Sequence, residues 1–205
     1  MLLDAAVLTI ALGLLLGRGR LARLKDLDLR APGLFVLAAV VKIGLMTLGA
    51  RGVPLAVPLG QAGNIISYLL IILGVALNRH RWEFRVVGVG VLLNFLVIAA
   101  NGGSMPVDRG LAERAGNAAM VRLLDTPNYV NHQPLTAKTR LKPLADVLPL
   151  PMLCPRPRFF SPGSAGDVLI TVGACWLILS ATGAFGLDRR RAAGPASATE
   201  GGDAE

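Results

Sequence analysis

The uncharged stretch VVGVGVLLNFLVIAA, residues 86–100, decides the fold class of this chain. Hydrophobic residues make up 53% of the 205 positions and come in long runs, which give a mean hydropathy of +0.57. A helix needs about 20 mostly apolar residues to cross a bilayer core, where it satisfies its own backbone hydrogen bonds. The sequence therefore predicts an all-α membrane protein.

Four more apolar runs accompany this stretch. They cover residues 2–17, residues 32–50, the uncharged region between Arg51 and Arg79 in which a helix begins near Pro58, and residues 168–187. We therefore expect a bundle of about five transmembrane helices with an irregular, partly helical cap on the non-cytoplasmic side. Residues 1–190 should form this bundle, including the outer loop 101–166. Residues 191–205 are small, polar and acidic, and should be a disordered cytoplasmic tail.

The positions of lysine and arginine predict the orientation, because short loops rich in these residues stay in the cytoplasm. Five of them follow the first run, three lie between the third and fourth runs, and three follow the last run, whereas Arg51 alone separates the second run from the third. The N-terminus and the large loop should therefore lie outside and the C-terminus in the cytoplasm. The first run has its basic residues after it, which favours a retained helix over a signal peptide.

The net charge of +8 does not indicate nucleic acid, because most basic residues flank apolar runs, where they contact lipid phosphates. Membrane lipids are the expected partners, and a second copy of the chain or a partner membrane protein stays open. Cys154 lies in the polar loop and Cys175 in an apolar run, so we expect no disulfide. No spacing indicates a metal site, and no cofactor is predicted.

Polar residues inside the apolar runs are the first candidates for a site. Lys42 lies about nine residues into its predicted helix, or roughly 14 Å deep, where a cation usually faces a partner or a water-filled cavity. Asn64, Ser67 and Tyr68 share one face of the next helix by their spacing, and Asn94 lies in the following one. These residues could line a pocket around Lys42. Alternatively, Lys42 extends to an interface and the other residues hold helices together.

The sequence ANGGSMP, residues 100–106, ends the fourth run. Asn101, Gly102 and Gly103 can adopt the positive φ of a helix terminus, and the same exposed backbone could bind a ligand. Asp108 then suits the N-cap of one short helix, DRGLAERAGNAAMVRLL, at residues 108–124.

The Pro-rich stretch at residues 126–163 should be irregular, because proline removes backbone donors. Its apolar part, residues 147–154, is too short to span and should lie along the membrane surface or cap the bundle. His132, Arg140 and Asp146 are candidate residues of this cap, although no nucleophile elbow accompanies them. Arg140 could donate to Asp146 or to the carbonyls left open at the end of the fourth run.

Four separated segments resemble one known family. They are GRGRLARLKDLDLRAPG (residues 17–33), LLNFLVIAANGGSMPV (92–107), LTAKTRLKPLADVLPLP (135–151) and FSPGSAGDVLI (160–170). In this order they resemble the bacterial domain-of-unknown-function family 5317, from residue 1 to about residue 187. The resemblance implies an uncharacterised multi-pass protein of a bacterial cell membrane with no assigned activity. It also implies that ANGGSMP and TRLKPLADVLPLP act together as one outer cap.

Three classes of function are compatible with these residues. The expected one is a non-enzymatic membrane protein, such as a scaffold, an accessory subunit or a lipid-contacting component. The alternative is a small transporter or ligand-binding protein, which requires a polar pocket around Lys42. A membrane-embedded enzyme acting at the outer face would require a pocket around His132, Arg140 and Asp146.

Overall fold

A computed structural model describes residues 27–50, 56–126, 129–156 and 158–182. The predicted first helix at residues 2–17 and the predicted tail at residues 191–205 lie outside these ranges. Four long helices form the bundle: α1 (Gly33–Ala50), α2 (Ala56–Leu77), α3 (Trp82–Ala100) and, after a long insertion, α6 (Ala165–Thr182). The described part of the chain is therefore mostly helical, as predicted.

Within the described ranges, three helical segments are long and apolar enough to cross a membrane: Val57–Leu77, Trp82–Ala100 and Ala165–Thr182. The apolar segment of α1, Gly33–Gly44, is shorter. Many large side chains on these helices point outward, and Leu69, Leu73 and Leu96 are each 50% exposed. Such apolar surfaces are costly in water and favourable in lipid, so the helices indicate a membrane protein.

Helix α3 begins at Trp82, about one turn before its predicted apolar run. The additional turn contains Glu83, which is buried against α6, where it accepts a hydrogen bond from the Ser180 hydroxyl. The Arg81 guanidinium lies 3.4 Å from the same carboxylate. These partners compensate the desolvation of the charge, so a charged residue does not mark the end of this helix.

Glycines allow α3 and α6 to pack closely and in opposite directions. A Cβ atom on Gly90 would lie 2.5 Å from the carbonyl oxygen of Gly166, and one on Gly173 would lie 3.0 Å from the carbonyl oxygen of Glu83. Small residues let helix backbones approach in membrane bundles, where van der Waals contact drives helix association. This contact fixes the first turn of α6 beside the middle of α3.

The first two helices are also antiparallel. The Phe35 ring of α1 packs on Gly74 of α2, and its centroid lies 6.3 Å from that of Phe84 on α3. At the same end of the bundle, the fully buried Asn78 side chain bonds the backbone of Arg30, accepting from its N–H at 2.8 Å and donating to its carbonyl at 2.9 Å. This contact anchors the segment that precedes α1.

The insertion between α3 and α6, residues 101–164, forms a folded unit that we name the cap. Its elements are β1 (Met105–Val107), α4 (Arg109–Arg114), α5 (Ala118–Leu124), β2 (His132–Pro134), a 3-10 helix (Lys142–Leu144), β3 (Leu148–Arg156) and β4 (Arg158–Gly163). β1 and β2 are parallel, with Met105 opposite His132, and β3 and β4 form an antiparallel hairpin.

The predicted single helix at residues 108–124 is wrong, because the chain forms α4 and α5 instead. Asp108 caps α4 as predicted, since its carboxylate accepts from the Leu111 N–H at 3.0 Å. Gly116 then adopts a φ of 67°, which ends the first helix. Asn117 caps the second by accepting from the Met120 N–H at 3.1 Å.

The prediction that the Pro-rich stretch is irregular is wrong, because this stretch contains the β3–β4 hairpin. Pro149 lies opposite Pro162 in this hairpin. A two-stranded sheet has only edge strands, so a proline is tolerated wherever its missing N–H would have pointed away from the partner. Most of the apolar segment at residues 147–154, which we expected to lie on the membrane or over the bundle, belongs to β3.

The cap rests directly on the bundle. Gly103 has a φ of 93°, and a Cβ atom there would lie 2.6 Å from the carbonyl oxygen of Gln61 on α2, so glycine is required for this contact. On its other side, β1 is flanked by Asp146, whose backbone N–H donates to the Pro106 carbonyl at 3.0 Å. β1 thus lies between His132 and Asp146.

Candidate functional site

A cavity of about 210 Å³ lies where the bundle meets the cap, and we name it the junction cavity. The bundle and the cap both contribute to its wall. The lining residues are Lys42, Asn64, Tyr68, Asn94 and Ile98 from the first three helices, Met105, Asn131, His132 and Asp146 from the cap, and Asp167 from α6.

Lys42 is the cation of the cavity wall. Its Nζ atom lies 5.6 Å from the centroid of the Tyr68 ring, which is within the range of a cation–π contact. Among the described residues, the Lys42 ammonium group has no ion pair within 4.0 Å and no hydrogen bond. Among the described residues, the contact of the Lys42 ammonium group is therefore with the face of the Tyr68 ring.

Asn64 joins α2 to the cap. Its Nδ2 atom donates to the carbonyl oxygens of Gly103 at 3.0 Å and Val130 at 3.2 Å, and its side chain is buried. Ser67, predicted for the same pocket, is 1% exposed but does not line the cavity, and its hydroxyl has no partner among the described residues. The predicted polar face of α2 is therefore divided between the cavity and the helix packing.

Asn94 and Asp167 form a fixed network on the bundle side. Asn94 Nδ2 donates to Asp167 Oδ1 at 2.9 Å, and Asn94 Oδ1 accepts from the Ser164 hydroxyl at 2.8 Å. Ser164 and Asp167 also form a capping box, because the Ser164 N–H donates to Asp167 Oδ2 and the Asp167 N–H donates to Ser164 Oγ, each at 3.0 Å. Both oxygens of this carboxylate are therefore occupied.

His132 and Asp146 face each other on the cap side. The His132 Nε2 atom lies 4.0 Å from Asp146 Oδ2, which is too far for a direct hydrogen bond. The other ring nitrogen, Nδ1, lies 2.8 Å from the Tyr129 hydroxyl. When that hydroxyl donates, the imidazole carries its proton on Nε2 and directs it toward Asp146.

Burial shifts the pKa values of both cap residues toward their neutral forms. Desolvation and, to a smaller extent, the positive charge of Lys42 lower the pKa of His132 to about 4, although Asp167 opposes this shift. Desolvation and, to a smaller extent, the negative charge of Asp167 raise the pKa of Asp146 to about 7. At neutral pH, His132 is uncharged and Asp146 is poised to change charge.

The other predicted cap residues lie outside the cavity. Asn101 and Arg140 line a separate groove of about 330 Å³ on the cap surface. Gly102 has a φ of 75° and no neighbour near its Cβ position, and Gly103 holds the turn against α2. Asn101 ends α3, as predicted for this segment.

The predicted role of the Arg140 guanidinium is wrong. Among the described residues no ion pair joins it to Asp146, and it bonds none of the carbonyls at the end of α3. The two segments instead meet through Asn101, whose side chain accepts from the Arg140 N–H and donates to the Arg140 carbonyl, both at 2.9 Å. An asparagine amide can imitate a peptide group, which satisfies the backbone without a charge pair.

Four lining residues are absent from the sequence-based set: the apolar Ile98 and Met105 and the polar Asn131 and Asp167. Asp167 had a local indication, since Ser164 and Asp167 have the spacing of a capping box before an apolar run. Asn131 had none, because any polar loop offers asparagines. The convergence of residues from α1, α2, α3, the cap and α6 depends on the tertiary structure.

The wall chemistry suits a small polar ligand. Charges of both signs and several amides surround a volume near the lower limit for small-molecule pockets. In the described part of the chain, no group of three or more His, Cys, Asp or Glu residues is arranged to hold a metal ion.

The chain belongs to the DUF5317 family of unknown function, whose family model matches residues 26–179. This range includes every residue that lines the junction cavity. No curated protein and no solved structure matches the chain.

Proposed function

We propose that this family member is a non-enzymatic, multi-pass protein of a bacterial cell membrane that binds a small polar molecule in the junction cavity. The bundle has five spans, of which α1 and the three long apolar helices supply four. The cap lies on the non-cytoplasmic side and the C-terminus in the cytoplasm.

The distribution of basic residues along the bundle supports this orientation. The end opposite the cap has a groove of about 760 Å³ whose lining includes Arg30, Arg79, His80 and Arg85. Arginine and lysine accumulate on the cytoplasmic side of membrane proteins. At the same end Trp82 is 65% exposed and lies 4.2 Å from the Arg85 guanidinium, an arrangement typical of a side chain at the lipid headgroups.

The Lys42 ammonium group, which has no ion pair among the described residues, is the observation that carries the binding proposal. Ionisable residues within membrane bundles are costly, and they usually pair or face a water-filled site. Lys42 shares the cavity with Asp146 and Asp167, yet it forms an ion pair with neither within 4.0 Å. A lysine needed only for helix packing would be best stabilised by direct pairing, whereas an open ammonium group suits a ligand.

The small-molecule content of purified protein tests this proposal. Protein in lipid nanodiscs would be denatured, and the released molecules would be measured by mass spectrometry for the wild type, Lys42→Met and Lys142→Met. Lys142 is an exposed residue of the 3-10 helix and controls for the loss of a lysine elsewhere. We expect the wild type and Lys142→Met to release the same polar molecule and Lys42→Met to release little. Equal release from all three variants would exclude Lys42 from any binding site.

A further inference from the structure

The hydrogen-bonding groups that the junction cavity leaves free are few. Asn64 Nδ2 is occupied by two cap carbonyls. Asn94 is occupied by Asp167 and Ser164, and both oxygens of Asp167 have donors. These side chains form the wall but have little capacity left for a ligand. Recognition of a ligand must therefore depend on the cavity groups that have no hydrogen-bond partner among the described residues.

One remaining group is a donor and comes from the bundle. The Lys42 ammonium group can donate three hydrogen bonds and has no acceptor among the described residues. An ammonium group in such a position is complementary to an anion, and a carboxylate is the smallest organic anion that accepts charge-assisted hydrogen bonds.

The cap contributes two acceptors, besides the His132 Nε2 atom, which lies 4.0 Å from Asp146 Oδ2 and makes no direct hydrogen bond to it. The Oδ1 atoms of Asn131 and Asp146 are both buried, and neither has a hydrogen-bond partner among the described residues. Asp146 is only 6% exposed. Buried acceptors without donors are unfavourable, so a ligand that supplies N–H groups would relieve both.

Charge balance and size restrict the ligand further. Lys42 is the positive group of the wall and Asp146 and Asp167 are its carboxyl groups, so the wall carries both signs of charge. A ligand with one positive and one negative group would match these charges better than a simple anion or cation. A volume of about 210 Å³ is below the roughly 300 Å³ at which small-molecule pockets usually begin, so the ligand must be small.

We infer that the junction cavity binds a small zwitterion with a carboxylate and a primary ammonium group, of the size of alanine or serine. The carboxylate contacts the Lys42 ammonium group, and the ligand ammonium donates to Asp146 and Asn131. This inference rests on the proposed binding function and adds the chemical class of the ligand.

Binding of four matched probes to the full chain in nanodiscs tests this inference. L-alanine carries both charges, propionate carries only the carboxylate, ethylamine carries only the ammonium group, and propanol carries neither. Equilibrium dialysis should show L-alanine bound at least tenfold more tightly than the other three. Equal binding of propionate and L-alanine, or no binding of L-alanine, would overturn the zwitterion assignment.

Two variants assign the two ends of the ligand. Lys42→Met should weaken L-alanine binding at least tenfold, and Asp146→Asn should remove the preference for L-alanine over propionate. Arg140→Gln, outside the cavity, should bind as the wild type does. Unchanged probe binding in both cavity variants, each verified as folded by circular dichroism and gel filtration, would overturn the assignment.

The release experiment separates this inference from the proposed function. If the wild type releases a Lys42-dependent molecule that is not a zwitterion, the ligand class is wrong and the binding function stands. If nothing Lys42-dependent is released and no probe binds, both are wrong.

Discussion

The side chain of Asn101 holds the backbone of Arg140 through two hydrogen bonds of 2.9 Å, one accepted from its N–H and one donated to its carbonyl. Asn101 Nδ2 also donates to the Val97 carbonyl at 2.7 Å in the last turn of α3. One amide thus closes α3 and anchors the Pro-rich part of the cap to it. The contact uses no atom of the Arg140 side chain.

Substitutions of Asn101 and Arg140 should therefore change the free energy of unfolding by different amounts. Asn101→Ala removes a part-buried hydrogen bond to the Val97 carbonyl and two exposed ones to the Arg140 backbone, which water can replace, and should lower the free energy of unfolding by about 1 kcal/mol. Arg140→Ala removes only an exposed side chain and should change it by less than about 0.5 kcal/mol. Denaturant titration in detergent measures both values. A larger loss for Arg140→Ala would restore a role for its guanidinium group.

Gly166 should be intolerant of any side chain. A Cβ atom at this position would lie 2.1 Å from Asn94 Oδ1 and 2.6 Å from the Gly90 carbonyl oxygen, so α3 and α6 would have to separate. Gly166→Ala should cost about 1–3 kcal/mol and weaken ligand binding, because the Asn94–Asp167 hydrogen bond depends on this spacing.

Gly33→Ala is the matched control for this substitution, since nothing lies within 4 Å of its Cβ position. It should be neutral or slightly stabilising, because alanine favours a helix over glycine by up to about 1 kcal/mol. Thermal unfolding of both variants in the same detergent compares them. If Gly166→Ala proved as stable as Gly33→Ala, α3 and α6 would not approach each other as closely as described.

His132 and Asp146 should give opposite pH dependences of stability. The folded state raises the pKa of Asp146 to about 7, so its stabilising contribution is present below its unfolded pKa of 3.8 and is lost as the pH rises to 7. The folded state lowers the pKa of His132 to about 4, so its contribution is present above its unfolded pKa of 6.5 and is lost as the pH falls to 4. In the wild type these two changes oppose each other.

Single substitutions should reveal separately how His132 and Asp146 make stability depend on pH. Relative to the wild type, His132→Gln should lose stability as the pH rises from 4 to 7, because only the Asp146 change remains. Asp146→Asn should lose stability as the pH falls from 6.5 to 4. The charges that face this pair from the bundle, Lys42 and Asp167, are unchanged in both variants. Parallel pH profiles for the two variants would show that neither group is buried as described.

Cysteine labelling tests the orientation of the bundle. In a background without Cys154 and Cys175, a cysteine at the exposed residue Lys138 should react with an impermeant maleimide in intact cells. A cysteine at His80, exposed at the opposite end, should react only after the cells are opened. Labelling of His80→Cys in intact cells would contradict the proposed orientation.

The long helices could be predicted from sequence because an apolar run of spanning length is visible without tertiary contacts, although α3 begins about one turn before its run. The strands of the cap could not, since β1 and β2 contain only three residues each and form through partners far away in the sequence. Proline suggested irregular chain at residues 126–163, but a two-stranded hairpin offers edge positions where proline fits. The end of α4 at Gly116 could not be predicted, because the apolar spacing of the sequence continues across this residue.

The residues of the junction cavity were partly recognisable. Lys42, Asn64, Tyr68 and Asn94 are conspicuous because polar side chains are rare in apolar runs, and His132 and Asp146 are among the few titratable residues of the Pro-rich segment. That these side chains meet in one cavity could not be predicted from the sequence. Their meeting depends on the turn at Gly103 and on the position of β1 between the two cap segments. Asp167 was concealed by its second role in the capping box.

Native mass spectrometry of the full chain released from lipid nanodiscs measures whether the junction cavity holds one small polar molecule. We expect the wild type and Lys142→Met to carry a mass excess of one small molecule and Lys42→Met to carry none. Wild-type protein whose mass equals that of the bare chain, under conditions that retain bound lipid, would contradict this expectation.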